Sequence, residues 1–237
     1  MTDARLATPA RTLSATDRGE RIRELQDRVL RMQGGGLTRA MPVAEPLEPL
    51  LTPRTGGVYA VDSSSLAMVL LAAPSQAGEW VAVVGAPDFG LEAAAGFGVD
   101  LTRVIAVPDP GERWLDVVAG LVEVVSVVLV RTERVGEHQA ARLRTRLRQR
   151  DAMLVAWGDW PRCDARLSIE SSYWLGVGRG HGRITGRRAV VSVRRSGRPA
   201  GQVALWLPGP DLGVAPAPVE SGGSDSDSVE GLVAEAG

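Results

Sequence analysis

Five short β-branched runs, separated by helix-length stretches, constrain this chain more than any other feature. Gly57–Val61 (GVYAV), Trp80–Val84 (WVAVV), Val104–Val107 (VIAV), Val124–Val130 (VVSVVLV) and Met153–Trp157 (MLVAW) each read as a buried strand. Between them Ser64–Ala73, Leu91–Gly96, Glu112–Val122 and Glu137–Arg150 read as helices. Apolar runs without polar alternation are covered on both faces, and strands joined through helices run parallel. The expected fold is therefore α/β, with a mostly parallel sheet and helices on both faces. After Pro161 the pattern changes. Tyr173–Val177, Ala189–Arg194 and Gln202–Leu207 read as strands, and the last two flank the turn sequence Ser196–Gly201. They are expected to form an antiparallel hairpin that extends the sheet.

The ends have a different character. Residues 1–15 are polar and expected to be disordered. From Thr16 to Met32 the apolar residues Ile22, Leu25, Val29 and Met32 recur at spacings of 3, 4 and 3, and Gly34-Gly35-Gly36 closes the helix that this implies. A stripe so narrow is marginal on an isolated helix. Residues 16–36 therefore read as an interaction helix, docked either on its own core or on a neighbouring molecule. Residues 37–55, with Pro42, Pro46, Pro49 and Pro53, read as a linker. The core is expected over 56–210, and 211–237 reads as a disordered acidic tail.

Composition removes much familiar chemistry. All 27 basic residues are Arg, so no P-loop lysine, Schiff-base lysine or Ser–Lys dyad is possible. One cysteine, Cys163, and two histidines leave no disulfide framework and almost no route to a Cys/His zinc site. No metal and no cofactor is expected. The ten aromatics are few for a platform that stacks single-stranded nucleic acid. The N-terminal stretch lacks the apolar core of a signal peptide, and no run is long enough to span a bilayer, which predicts a cytoplasmic protein. Charge is distributed in blocks. Residues 42–130 hold three Arg against eleven acids, residues 131–198 sixteen Arg against six, and residues 211–237 six acids with no Arg. A basic block beside an acidic tail points to a polyanion or acidic partner, with the tail available for self-screening.

In an open α/β sheet the first strand–loop–helix turn is the first place to look for a site. Against the pattern G-x-x-x-x-G-K-[ST], Gly57 and Ser64 match, whereas Asp62 replaces the second Gly and Ser63 replaces the Lys. Asp62 adds a negative charge where phosphates would sit and removes a residue that tolerates positive φ. The plain alternative is that Asp62, Ser63 and Ser64 cap the following helix. Farther on, Arg142, Arg146 and Arg150 fall on one exposed stripe of a helix whose Leu143 and Leu147 face the core. That stripe is a candidate polyanion contact.

The order of these features, together with Gly98-Val99-Asp100 before the third strand, resembles the ATPase core of the RecA family. More closely, residues 16–210 resemble the actinobacterial ImuA-type (ImuA′) proteins, RecA-like accessory factors of a damage-induced translesion mutasome. Read against that family, the loop lysine position is Ser63. The catalytic glutamate position falls in Gly85-Ala86-Pro87-Asp88, and the magnesium-side aspartate position is Arg131, with Asp88 and Glu133 as candidate ion-pair partners. The resemblance thus implies a pseudo-ATPase and an adaptor that acts through protein contacts in DNA damage tolerance, associated with the nucleoid when it is part of a repair complex. Implied partners are an ImuB-type polymerase homologue, RecA and a second copy of the chain. Ile22, Leu25 and Val29 would make the contact. Alternatives are a DNA-binding filament component and a cell-division inhibitor.

Overall fold

The computed structural model describes residues 38–132, 134–178, 181–195 and 198–218. The expected interaction helix with Ile22, Leu25 and Val29, the segment 1–15 and the tail from 219 lie outside the described residues. Nine strands form one sheet: β1 (Val58–Val61), β2 (Val81–Val84), β3 (Val104–Val107), β4 (Val127–Arg131), β5 (Met153–Trp157), β6 (Ala165–Gly178), β7 (His181–Arg195), β8 (Arg198–Trp206) and β9 (Ala215–Pro216). Their order is β3-β2-β4-β5-β1-β6-β7-β8-β9. Pairing is parallel from β3 across to β6 and antiparallel from β6 to β9. The expected α/β architecture is observed, with a sheet order consistent with a RecA-like fold.

The helices are α1 (Ser64–Gln76), α2 (Leu91–Gly96), α3 (Trp114–Leu121) and α4 (Glu137–Gln149). Alternation along β1 splits the core in two. Tyr59 and Val61 pack with Leu66 and Leu70 of α1 and Ala94 of α2 on one face. Val58 and Ala60 pack with Val118 of α3 and with Leu143 and Leu147 of α4 on the other. β1, β2, β4 and β5 are buried almost throughout, as strands covered on both faces must be. α1 is apolar nearly all round and correspondingly interior, from Ser65 to Ala72.

Four expectations change. Over residues 38–55 the Pro-rich stretch is part of the core and not a tether. Met41, Leu47 and Leu51 are buried, and Leu50 lies over Gly201 of β8, where an added Cβ would come within 2.5 Å of it. The Met41 N–H donates to the Pro53 carbonyl, which folds the segment back on itself. Proline content marks a chain that cannot join a ladder; it does not cancel the apolar residues in between. The fourth strand begins at Val127, because the chain is still turning out of α3 at Val124, which is 71% exposed. The strand expected at Tyr173–Val177 is the far half of the much longer β6. The tail expected from 211 instead keeps to the sheet as far as β9, and Ala217 is buried. Among the described residues, no helix is long and apolar enough to cross a membrane.

Replacing a fully buried leucine by alanine removes transfer energy and leaves a cavity. Leu47→Ala should therefore destabilise the protein by about 3 kcal/mol in urea unfolding. A loss near zero would mean that the segment is the linker its prolines suggest.

Candidate functional site

The helices that follow β2 and β4 leave to opposite faces, α2 to one core and α4 to the other, although the two strands are neighbours. The crevice at their carboxyl ends is thus a topological switch point, the usual place for a ligand in an open α/β sheet. Arg131, the last residue of β4, stands there and pairs with Asp88 from the loop after β2. Its guanidinium lies 4.3 Å from the ring centre of Trp157, its cross-strand neighbour on β5. Gly85, at the end of β2, lets the Arg131 backbone come close: its φ is +72°, and a Cβ there would lie 2.8 Å from the Arg131 carbonyl oxygen. The Arg131 hydrogen bond holds the Asp88 carboxyl below the usual carboxylate range. A cavity of about 490 Å³ opens beside the pair, lined by Pro87, Pro108, Pro110, Trp114 and Arg131 among others. Of the two partners expected for Arg131, Asp88 is the one observed; Glu133 lies outside the described residues.

The turn after β1 differs from the expected loop. Only Asp62 and Ser63 separate Val61 from the first residue of α1, Ser64. Gly57 precedes β1 and so lies at the other end of the strand, roughly 16 Å from Asp62 at the usual rise per residue. The residues between them are the strand itself, paired to β5 on one side and β6 on the other, so their N–H groups cannot turn inward onto a phosphate. Gly57 has a local role, because an added Cβ would lie 2.7 Å from the Tyr59 hydroxyl, which accepts from the Arg54 N–H. Asp62 accepts from the Ile169 N–H of β6 at 2.9 Å. Ser63 is the N-cap of α1, its hydroxyl accepting from the Leu66 N–H at 3.4 Å. Of the four residues read as one degenerate loop, Asp62, Ser63 and Ser64 adjoin at the turn into α1, and Gly57 stands apart at the far end of β1.

The basic stripe is partly engaged within the fold. Arg146 and Arg150 bond the two carboxylate oxygens of Glu123 at 3.1 and 2.6 Å. Arg142 lines a groove between α3 and α4 and has no ion pair among the described residues. Exposed pairs of this kind contribute little stability, so the stripe remains available to a competing anion.

Two features escaped sequence reading. Asp164 accepts from the Val58 N–H at 2.8 Å and from Arg144 at 2.6 and 3.3 Å, which ties α4 to β1 and to the start of β6. Nothing in the local sequence marks Asp164, whose partners lie 106 and 20 residues away. The second is an arm. β1 pairs with β6 only to Leu167, yet β6 runs on to Gly178 and returns as β7. Tyr173, Trp174 and Ile184 are exposed on this arm at 40, 52 and 57%. Arg187 lies over Trp174 and Arg188 over Tyr173, 5.5 and 5.6 Å from the ring centres. Arg187 bonds the Ser172 hydroxyl, its Nε is buried without a partner, and burial pulls its pKa down while Asp62 opposes the shift.

Comparison with known proteins gives two findings. Residues 46–162 match the family model of the MT3502 N-terminal domain, a region that begins inside the Pro-rich segment and ends after β5. The chain is also 34% identical over 172 residues to Rv3395c, an uncharacterized protein of Mycobacterium tuberculosis, covering 68% of this chain and 81% of that one.

The Asp88 carboxyl is depressed by Arg131. Its contribution to stability is thus present above the ordinary carboxylate pKa and lost as pH falls through the lower folded value. In an NMR titration Arg131→Gln should move the Asp88 carboxyl back up toward the ordinary carboxylate range. An unchanged titration would refute the pairing.

Proposed function

The chain belongs to the same family as Rv3395c, and we propose that it is a non-catalytic, RecA-like adaptor of a translesion-synthesis assembly. The observation that carries this reading is the Asp88–Arg131 pair at the carboxyl ends of β2 and β4. The RecA-family resemblance puts a catalytic glutamate and a magnesium-side aspartate at these strand ends. Phosphoryl transfer needs a metal cation there, held by carboxylates and facing a lysine. Arg131 sets a fixed guanidinium charge in the metal's place, so it repels a divalent ion and neutralises the Asp88 carboxylate beside it. The two-residue turn between β1 and α1 adds to this, because it offers no cradle for the phosphates.

A RecA-like core without turnover acts through its surfaces. The ImuA-type resemblance makes an ImuB-type polymerase homologue the primary partner, with RecA and a second copy as further ones. Ile22, Leu25 and Val29 supply an apolar stripe of the kind that lies in a hydrophobic groove. A second reading, a direct contact with nucleic acid, is favoured by the arm, where Trp174 and Tyr173 stand exposed beside Arg187 and Arg188. Such binding would weaken steeply with salt, because each neutralised phosphate releases counterions.

The test is affinity purification from DNA-damaged cells of the full chain and of the Ile22→Asp, Leu25→Asp double variant. Recovery of an ImuB-type polymerase homologue with the parent, and its loss with the variant, is the expected result. Absence of any polymerase component with the parent, with ATP turnover in the purified protein, would sink the adaptor reading.

A further inference from the structure

The arm formed by β6 and β7 leaves one edge of the sheet open. β1 accompanies β6 only as far as Val61, which lies opposite Leu167. The chain then turns into α1, and Asp62 takes the Ile169 N–H. Beyond Ile169, β6 has β7 on one side and, among the described residues, no strand on the other.

The pairing of β7 decides which backbone groups face the open side. The Arg187 N–H donates to the Pro208 carbonyl, and the Arg187 carbonyl accepts from the Leu207 N–H, so both groups point away from β6. Successive residues of a strand turn these groups to opposite sides. Those of Arg188 therefore point to β6, where Tyr173 is directly opposite. The backbone groups of Tyr173 thus face β7, and those of its neighbours Ser172 and Trp174 face out of the edge.

The stretch Ser171–Val177, with Trp174 at its middle, contains no charge and no proline, the residues that usually keep an edge single. Charges of both signs flank it. Asp62 stands beside Ile169, and Arg187 and Arg188 lie over Trp174 and Tyr173. A basic strand laid on this edge would meet the arginines, and an acidic strand would meet Asp62. A second copy of the same uncharged stretch brings neither conflict. Trp174, 52% exposed, would also gain an aromatic neighbour.

We propose that this edge of β6 is a contact between two copies of the chain. The copies pair antiparallel across a two-fold axis, with Trp174 opposite its counterpart, and the sheet continues from one chain into the other. The inference rests on no part of the adaptor reading and uses a different surface from the Ile22, Leu25 and Val29 stripe.

The test is sedimentation equilibrium of the full chain from about 1 to about 200 µM, because a contact of so few residues is smaller than a standard interface and assembles weakly. The parent should rise from the mass of one chain toward that of two. Trp174→Lys and Trp174→Glu should each stay at one, since like charges then oppose each other across the axis. Mixed in equal amounts, the two variants should associate again, which neither a misfolded arm nor a contact elsewhere would produce. The Ile22→Asp, Leu25→Asp double variant should associate as the parent does. A parent that keeps the mass of one chain at about 200 µM overturns the proposal. So does a mixture that stays monomeric, or loss of association in the Ile22→Asp, Leu25→Asp variant.

Discussion

The central strands of this sheet are apolar on both sides, and everything else follows from covering them. Each buried leucine or valine on β1, β2, β4 and β5 removes apolar area worth about 25 cal/mol per Å² from water, but only if helices lie on both faces. α1 and α2 close one side, and α3 and α4 close the other. The interior then has no room for polar chemistry. Charged and hydrogen-bonding groups are forced to the strand ends, the outer surfaces of the helices and the antiparallel extension.

At the carboxyl edge those groups are used to join elements. Asp62 ties the turn after β1 to β6, and Asp88 ties the loop after β2 to β4 through Arg131, which in turn lies over Trp157 of β5. On β1 and β6, Asp164 does the same through Val58 and Arg144. An acid already committed to a backbone N–H or a guanidinium is poorly placed to hold a metal or move a proton. The contrast is on β6 and β7, where Arg166 and Arg194 stand directly opposite each other and Arg166 is paired with Asp159.

How much could be read in advance depended on whether the signal was local. Strand and helix identities were legible because burial on two faces leaves an unmistakable apolar run, as at Met153–Trp157. Leu143 and Leu147 of α4 were legible from their spacing. The role of Leu47 was not, because prolines around it dominate the local composition while its burial depends on β8, far along the chain. The Gly57-to-Ser64 string misled for a related reason. A motif match counts residues, and the structure assigns four of those residues to the strand. The full length of β6 was hidden by polar positions such as Ser168, Glu170 and Ser171, which an antiparallel strand with one wet face accepts.

By itself, the sequence determined the α/β class, the alternation that forces a parallel sheet, the absence of a lysine for phosphate chemistry and the segregation of charge into blocks. These depend on residue identity and short-range periodicity, which survive in one dimension. Only the tertiary structure decided which charges meet: Arg131 with Asp88, Arg144 with Asp164, and Arg194 left facing Arg166. The physical reason is that ion pairing acts over a few ångströms in space. The strand order that sets those distances is a property of the whole packed core, not of any segment within it.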